Sequence, residues 1–284
     1  MKKRSGKVVL MILILIVAAG EHARGQVPGS TESPPGFKQI LSSAMEDVGH
    51  VVSSPFRMQS KHWICLGAFA TLNTIMILGT DAKVDEEFAL EDHHAITWPA
   101  KKMAGIGDVY NRLGPYRIYL ALTGTMVLTG LITKHGELLE TARLSLESAL
   151  ITGLITYVAK GFFGRLRPYT GEGPHQFHPL KFSDRHPFRS FPSGHTSHIF
   201  AVVTIIAGRH PQWWIKYPAY VLAASVGFQR MNDRQHWASD VLAGAALGYW
   251  VGTTLLSRYR NAPSQGRRIH PYFRNGMAGL AFTF

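Results

Sequence analysis

The stretch Phe191-Pro192-Ser193-Gly194-His195 decides how the fold and the chemistry of this sequence are interpreted. It stands directly before an apolar run, Ser197 to Gly208, that is typical of a helix. Ser193 is then a helix N-cap, and Gly194 lets a ligand approach the backbone closely. Because the free N–H groups of a helix start bind oxyanions, we expect His195, in the first turn, to lie beside a bound anion.

Two further polar clusters interrupt the apolar C-terminal half at the edges of helix-like runs. Upstream, Lys160 is followed after six residues by Arg167-Pro168, and downstream stand Arg230, His236 and Asp240 with five and three residues between them. His236 and Asp240 share a helix face at this spacing, so the carboxylate can accept from one ring nitrogen and leave the other as a nucleophile. Two histidines, one carboxylate and three cations suit a site that transfers phosphate through histidine.

Each cluster also has a purely structural interpretation. Pro168 is expected to end the helix that carries Lys160, and cations at a helix end commonly extend toward the interface without binding a ligand. A His–Asp pair at the start of a helix can equally be structural. The Ser193-Gly194 pair alone could open any helix. The occurrence of all three clusters in this order favours the phosphate site.

Lys-x6-Arg-Pro, Pro-Ser-Gly-His and Arg-x5-His-x3-Asp, in this order, resemble the three-part signature of the type-2 phosphatidic acid phosphatase superfamily. That superfamily includes lipid phosphatases, bacterial non-specific acid phosphatases and vanadate haloperoxidases. The resemblance covers the chain from Tyr116 to Arg260. The sequence departs from the family at Gln229, where a Ser usually precedes the third-motif Arg. A Gln can still donate a hydrogen bond to a phosphate oxygen.

The resemblance implies a role for each motif residue. His236 attacks phosphorus and carries the phosphoryl group, and Asp240 orients it. His195 protonates the leaving oxygen and then activates water. The phosphate and the charge of the transition state are held by Lys160, Arg167, Ser193, Gly194 and Arg230. This chemistry needs no metal and no other cofactor.

The rest of the chain from residue 61 to residue 260 predicts an all-α domain. No alternating strand pattern competes with six apolar segments that look helical. They are Trp63 to Thr80, Tyr116 to Thr133, Ala142 to Lys160, Ser197 to Gly208, Trp213 to Phe228 and Trp237 to Leu256. Small residues in the last segment, such as Gly244 and Gly248, permit close helix–helix approach. We expect a bundle of about six apolar helices embedded in a membrane.

The flanking regions suggest export from the cytoplasm. Residues 1–25 have the basic start, short apolar run and small residues of a signal peptide, with an uncleaved anchor as the alternative. Residues 26–60 are expected to be a linker with a short amphipathic helix from Phe37 to Val52, and residues 261–284 a basic, then Gly-rich tail. The single cysteine, Cys65, excludes a disulfide or a cysteine zinc site within one chain.

Charge and topology locate the domain. The formal charge of +12 favours phosphorylated substrates and anionic lipid surfaces, and the sequence lacks the basic stripe of a nucleic-acid reader. The resemblance implies an inner-membrane protein of the bacterial cell envelope with a periplasmic site. The basic loops at Arg209–Lys216 and after Arg258 then lie inside. An exported N-terminus and three spans would place Lys160 inside, so one early segment does not cross, or the signal-peptide interpretation is wrong, or the domain is soluble and periplasmic. Of the early segments, we predict that Trp63–Thr80 lies partly in the interface or against the bundle.

Four functions compete at this point. The first is a phosphatase of a lipid phosphate or diphosphate at the periplasmic face. A soluble periplasmic acid phosphatase of broad specificity is favoured by polar interruptions at Arg143, Glu147 and Lys216. The motifs also fit a vanadate haloperoxidase. A non-catalytic lipid-phosphate binder is disfavoured, because it would not need both histidines and the carboxylate.

Overall fold

The computed structural model describes residues 37–90, 97–133, 135–182, 186–261, 268–274 and 277–283. Within these residues the chain forms nine α-helices and one β-hairpin. The helices are α1 Phe37–Val52, α2 Ser60–Gly79, α3 Asp81–Ala89, α4 Trp98–Leu113, α5 Pro115–Ile132, α6 Gly136–Phe163, α7 Gly194–Arg209, α8 Trp213–Asn232 and α9 Ala238–Asn261. The predicted signal peptide and residues 26–36 of the predicted linker lie outside the described residues.

The six apolar segments all form helices, namely α2 and α5 to α9, so the all-α prediction is confirmed for the domain. Two helices, α3 and α4, come from the more polar sequence between the first two segments and were not predicted as part of the bundle. The tail differs from the domain. Its strands β1 Arg268–Arg274 and β2 Met277–Thr283 pair antiparallel, with Arg274 opposite Met277 at the turn.

Helix α7 lies at the centre of the bundle, where it packs against α6, α8 and α9. One core cluster joins Ile205 of α7 to Leu144 of α6 and Val251 of α9. A second cluster joins Val202, also on α7, to α4, α5 and α8. Since α7 begins at the Pro-Ser-Gly-His motif, burial of its apolar faces fixes the position of that motif.

Glycines on α9 bring its backbone into contact with α7, which confirms the prediction from small residues. A Cβ atom at Gly248 would lie 2.2 Å from the carbonyl oxygen of Ser197. A Cβ atom at Gly244 would lie 2.6 Å from the carbonyl oxygen of Ser193. The close approach joins the starts of the two helices, where the Ser193 N–H donates to the Asp240 carbonyl at 2.9 Å.

Gly164, and not Pro168, ends the helix that carries Lys160. Gly164 has a φ of 55°, and a Cβ atom there would lie 1.9 Å from the carbonyl oxygen of His178. Only glycine fits both the left-handed backbone and this contact. The prediction that Pro168 ends the helix is therefore wrong. The chain has already left α6 when it reaches Arg167, and Pro168 opens a short 3-10 turn.

Helix α2 extends between the two ends of the bundle. Its Asn73 side chain donates to the carbonyl of Ser239 at the start of α9, 3.0 Å away. The preceding helix α1 lies at the other end, where Asp47 pairs with Arg258 near the end of α9 at 2.8 Å. Asn73 is the one buried residue of α2. By length and composition α2 and α6 could each cross a membrane, and α5 is a shorter apolar helix.

Candidate active site

The three motifs come together at one end of the bundle, around a cavity of about 430 Å³. Helix α6 ends there, α7 begins there, and the α8–α9 connection closes the same end. Five predicted site residues line the cavity, namely Lys160, Arg167, Gly194, His195 and His236. Side chains that the motifs do not include complete the wall, among them Tyr119, Tyr157, His186, Arg189 and His198.

The other three predicted residues, Ser193, Arg230 and Asp240, are buried behind this wall. Ser193 occupies the N-cap position of α7, but its side chain makes no capping bond to the backbone. Its Oγ instead pairs with Oγ1 of Thr196 at 2.9 Å. The expected capping bond is therefore wrong, although the position is right. The N–H groups of the first turn are left for another acceptor.

Two cations hold fixed positions at the cavity wall. Lys160 Nζ donates to the carbonyl oxygens of Arg189 and Ser190 at 2.6 and 3.2 Å. Arg167 Nη1 donates to Oε1 of Gln235 at 2.5 Å. The buried Nε of Arg167 has no hydrogen-bond partner among the described residues. Because a buried guanidinium N–H without an acceptor is costly, this donor favours a bound anion.

His236 and Asp240 are adjacent but not hydrogen-bonded. Nδ1 of His236 lies 3.7 Å from Oδ2 of Asp240 and has no partner among the described residues. The same Oδ2 accepts from the backbone N–H of Trp237 at 2.9 Å and from Ser190 Oγ at 2.5 Å. His236 and Asp240 do lie on one face of the chain, as their spacing predicts. The predicted hydrogen bond between them is absent, because Trp237 and Ser190 already donate to the carboxylate oxygen that faces the ring.

The environment keeps the His236 imidazole neutral. Burial lowers the pKa of His236 well below its usual value, and the positive charges of Lys160, Arg167 and Arg230 lower it further. A neutral imidazole has a free lone pair at neutral pH. His236 therefore has the protonation state that a nucleophile requires.

Arg165 and Asp81 were missed by the sequence analysis, and both side chains are fully buried. Arg165 donates to Oδ1 of Asp240 at 2.6 Å and to Oδ2 of Asp81 at 2.7 Å. Its guanidinium also donates to Ser239 Oγ and to the carbonyl of Pro174. In the sequence Arg165 is one of the unassigned residues of Lys-x6-Arg. The one available signal was Asp81, an acid placed directly after an apolar run.

Gln229, the departure from the family pattern, contacts Arg230 and does not line the cavity. Its Oε1 accepts from Arg230 Nε at 2.7 Å, and its Nε2 donates to Asp233 at 2.5 Å. Asp233 also accepts from Arg230 Nη2 at 3.0 Å. Gln229 thus orients the arginine, and a direct bond from Gln229 to phosphate is not part of this arrangement.

The predicted residues bring no metal-binding group together. Across the described ranges, no three His, Cys, Asp or Glu side chains lie close enough to hold a metal ion.

Known proteins match the part of the chain that carries the three motifs. Residues 142–263 match the family model described as PAP2 superfamily. A lipid A 1-phosphatase from Porphyromonas gingivalis is 33% identical over 149 residues, which are 51% of this chain and 29% of that protein. An undecaprenyl-diphosphatase from Sulfolobus acidocaldarius is 25% identical over 195 residues, which are 67% of this chain and 87% of that protein. The chain thus spans less than a third of the first relative.

A solved structure shows the same fold. It is the crystal structure of the first transmembrane PAP2 type phosphatidylglycerolphosphate phosphatase from Bacillus subtilis, with a TM-score of 0.50 and 20% identity. The match covers 70% of this chain and 96% of that one. Nearly the whole of that fold is therefore present here.

Proposed function

From the premise that this chain carries a PAP2 superfamily domain, we propose that it hydrolyses a lipid phosphate or diphosphate through a phosphohistidine. One observation carries the proposal. His195 and His236 line a single cavity together with the cations Lys160 and Arg167. Two histidines at one phosphate position provide a nucleophile and an acid–base group, and fixed cations stabilise the charge of the transition state.

In the first step, a neutral His236 nitrogen forms a bond to phosphorus as the bond from phosphorus to the leaving oxygen breaks. Nδ1 faces Asp240, so Nε2 is the attacking atom. His195 donates its proton to the leaving oxygen, because the bound phosphate favours the imidazolium form of this residue. The product lipid leaves as an alcohol or, from a diphosphate, as a monophosphate.

In the second step, water replaces the lipid product at the same phosphorus. Neutral His195 accepts a proton from the water, and the oxygen attacks as the bond to His236 breaks. Inorganic phosphate leaves, and His236 is again a neutral base. Lys160 and Arg167 bind the phosphoryl oxygens through both steps, and the N–H groups at the start of α7 add two or three donors. Arg230 adds its positive charge from behind the cavity wall.

The surface of the bundle supports a membrane protein over the soluble alternative. Large apolar side chains of α2 are exposed, with Ile64 at 72% and Leu78 at 68% exposure. A helix that is apolar on all sides, and that other helices cover on almost none of them, is stable only in apolar surroundings. A bilayer provides that surrounding, and it also holds the lipid substrates that the relatives are named for.

The direction of the helices supports a periplasmic site. Helices α2, α6 and α8 end at the site, whereas the basic loop between Arg209 and Lys216 lies at the opposite end with Arg258. Positive charge favours the cytoplasmic side, which leaves the site outside. In this arrangement α2 crosses the bilayer and α1 lies inside. This arrangement differs from two sequence-based predictions, that α2 lies in the interface or against the bundle and that the N-terminus is exported.

Phosphate release by the purified full chain tests the proposal. The substrates are phosphatidic acid, phosphatidylglycerol phosphate, a lipid A phosphate and undecaprenyl diphosphate, each in EDTA. We expect release from at least one lipid, loss of release in His236→Ala, and inhibition by vanadate, which mimics five-coordinate phosphorus. Activity confined to water-soluble phosphomonoesters would contradict the lipid substrate. Activity lost in EDTA and restored by a divalent cation would contradict the mechanism.

A further inference from the structure

Arg165 forms a buried charge centre directly behind the active site. Its guanidinium lies over two aromatic rings, 5.1 Å from the centroid of Phe177 and 5.5 Å from that of Trp237. On its polar edge it contacts two carboxylates, Asp240 at 2.6 Å and Asp81 at 2.7 Å. All three charged side chains have no exposed surface. Charges this deeply buried are tolerated only when they are paired and hydrogen-bonded.

The charges of this centre do not cancel. One guanidinium faces two carboxylates, so the group carries a surplus of one negative charge. Were Asp240 the sole partner of Arg165, the pair would be neutral. Because Asp81 shares the cation, the Asp240 carboxylate keeps negative charge beside His236. The other charged or titratable groups that act on His236 are Lys160, Arg167, Arg230 and His195, and all of them favour the neutral ring.

Asp81 also fixes the start of α9. It is the first residue of α3, and its Oδ1 accepts from the backbone N–H of Ser239 at 2.9 Å. Its Oδ2 accepts from Ser239 Oγ at 2.5 Å, in addition to the Arg165 contact. Asn73, inside α2, donates to the carbonyl of the same Ser239. Asn73 and Asp81 thus fix Ser239, the neighbour of Asp240. Both lie before residues 142–263, the range that matches the family model.

We propose that Asp81 is a positioning residue of the active site. Through Arg165 and Ser239 it fixes the Asp240 carboxylate, and its charge offsets that of Arg165 so that Asp240 acts on His236. The effect on turnover rests on the proposed function. The effect on the His236 ring does not, because protonation of the ring is measured without substrate.

The test compares the full chain with Asp81→Asn and with the matched control Asp85→Asn. Asp85 lies one turn further along α3 and pairs with Arg234 at 2.5 Å, but it makes no contact with Arg165 or Asp240. The measurements are kcat, KM and the pKa of His236 from NMR of ring-labelled histidine, with the signal assigned by its loss in His236→Gln. Phosphate binding provides the fraction of folded sites.

In Asp81→Asn we expect kcat per folded site to fall roughly 10- to 100-fold, the range for residues that orient an active-site group, with KM little changed. The pKa of His236 should fall, because Arg165 then neutralises Asp240 and the imidazolium form loses support. In Asp85→Asn, kcat per folded site and the pKa of His236 should equal those of the wild type. An unchanged pKa of His236 and an unchanged kcat per folded site in Asp81→Asn would overturn the proposal.

Removing both charges provides a rescue experiment. In Asp81→Asn with Arg165→Gln, Asp240 again carries the only buried charge of the centre, so the pKa of His236 should return to at least the wild-type value. Part of kcat should return as well. In the double variant the Asp240 carboxylate keeps its donors from Ser190 and Trp237, so the variant provides a second measurement of the His236 pKa if Asp81→Asn fails to fold. A His236 pKa below the wild type in the double variant would overturn the proposal. Absence of phosphatase activity in the wild type would instead contradict the proposed function.

Discussion

Nδ1 of His236 lies 3.7 Å from Oδ2 of Asp240, near enough for a strong charge interaction and too far for a hydrogen bond. The carboxylate is held at this distance by donors from Ser190, Trp237 and Arg165. It is therefore a fixed negative charge. It does little for a neutral ring and stabilises the positive ring that forms when His236 carries a phosphoryl group.

Removing the Asp240 charge should slow the chemical step more than substrate binding. In Asp240→Asn an amide NH₂ group meets the donors that now bind the carboxylate, and the ring loses its counter-charge. We expect kcat to fall at least about 100-fold while KM changes little. Ser190→Ala is the control, because it removes one hydrogen bond and keeps the charge, and its kcat should fall less than about tenfold. An equal loss in both variants would contradict the electrostatic role.

The His236 ring should remain neutral below the pH at which ordinary histidines are protonated. Burial and the neighbouring cations lower its pKa, so the free base is present at neutral pH and persists as the pH falls through 6.5. An NMR titration of the wild type without substrate measures this directly. Bound phosphate should raise the midpoint, because an anion favours the imidazolium. A midpoint at or above 6.5 in the empty site would contradict the geometry described here.

A methyl group at Gly248 should disturb the site from a distance. A Cβ atom there overlaps the backbone of α7, with 2.2 Å to the Ser197 carbonyl oxygen and 2.8 Å to the Ala201 nitrogen. Gly248→Ala should lower stability by about 1–3 kcal/mol and reduce activity, because α7 carries His195. Gly67→Ala is the matched control, since nothing lies within 4 Å of its added methyl group. Thermal unfolding in detergent distinguishes the two, and equal midpoints would contradict the close packing of α7 and α9.

Loss of the Gln229 side chain should weaken phosphate binding. In Gln229→Ala the Nε donor of Arg230 loses its acceptor, and the guanidinium is held by Asp233 alone. We expect KM to rise about fivefold, which corresponds to roughly 1 kcal/mol, with a smaller change in kcat. Gln212→Ala, at the far end of the same helix, should leave KM unchanged. If Gln229→Ala also leaves it unchanged, Gln229 does not position Arg230.

Cysteine labelling tests the orientation in the membrane. In a Cys65→Ala background, single cysteines at positions 175 and 233 lie at the site end, and those at 57, 212 and 257 lie at the other end. A reagent that does not cross the membrane should label the first two from outside and the other three only after lysis. Labelling of position 212 from outside would reverse the orientation. Labelling of position 57 alone from outside would show that α2 does not cross.

The motif residues and the apolar helices could be predicted from the sequence, because each depends on residues that are close together in the chain. His236 and Asp240 share a face by spacing alone, and the six apolar runs are long enough to be recognised as helices. What failed depends on contacts between distant residues. Gly164, not Pro168, ends α6 because the His178 carbonyl approaches it.

The buried charge centre shows the same limit. Arg165 pairs with Asp81 across 84 positions of sequence. Arg165 is an unassigned position of Lys-x6-Arg, and Asp81 stands in no recognisable motif. In the sequence, Asp81 is indistinguishable from an ordinary acidic residue at a helix start. Its role becomes visible only in the fold, where the start of α3 contacts the start of α9. Sequence can place an acid after an apolar run, but the partner that neutralises it is fixed only by the packing of the bundle.

The most direct test of the mechanism is the location of the phosphoryl group during turnover. Rapid quench of the full chain with a labelled lipid substrate, followed by alkaline digestion and mass spectrometry, identifies the modified residue. We expect phosphohistidine at His236, with more of it in His195→Ala when the leaving group needs no proton. Phosphohistidine at His195, or turnover without any phosphorylated histidine, would contradict the account.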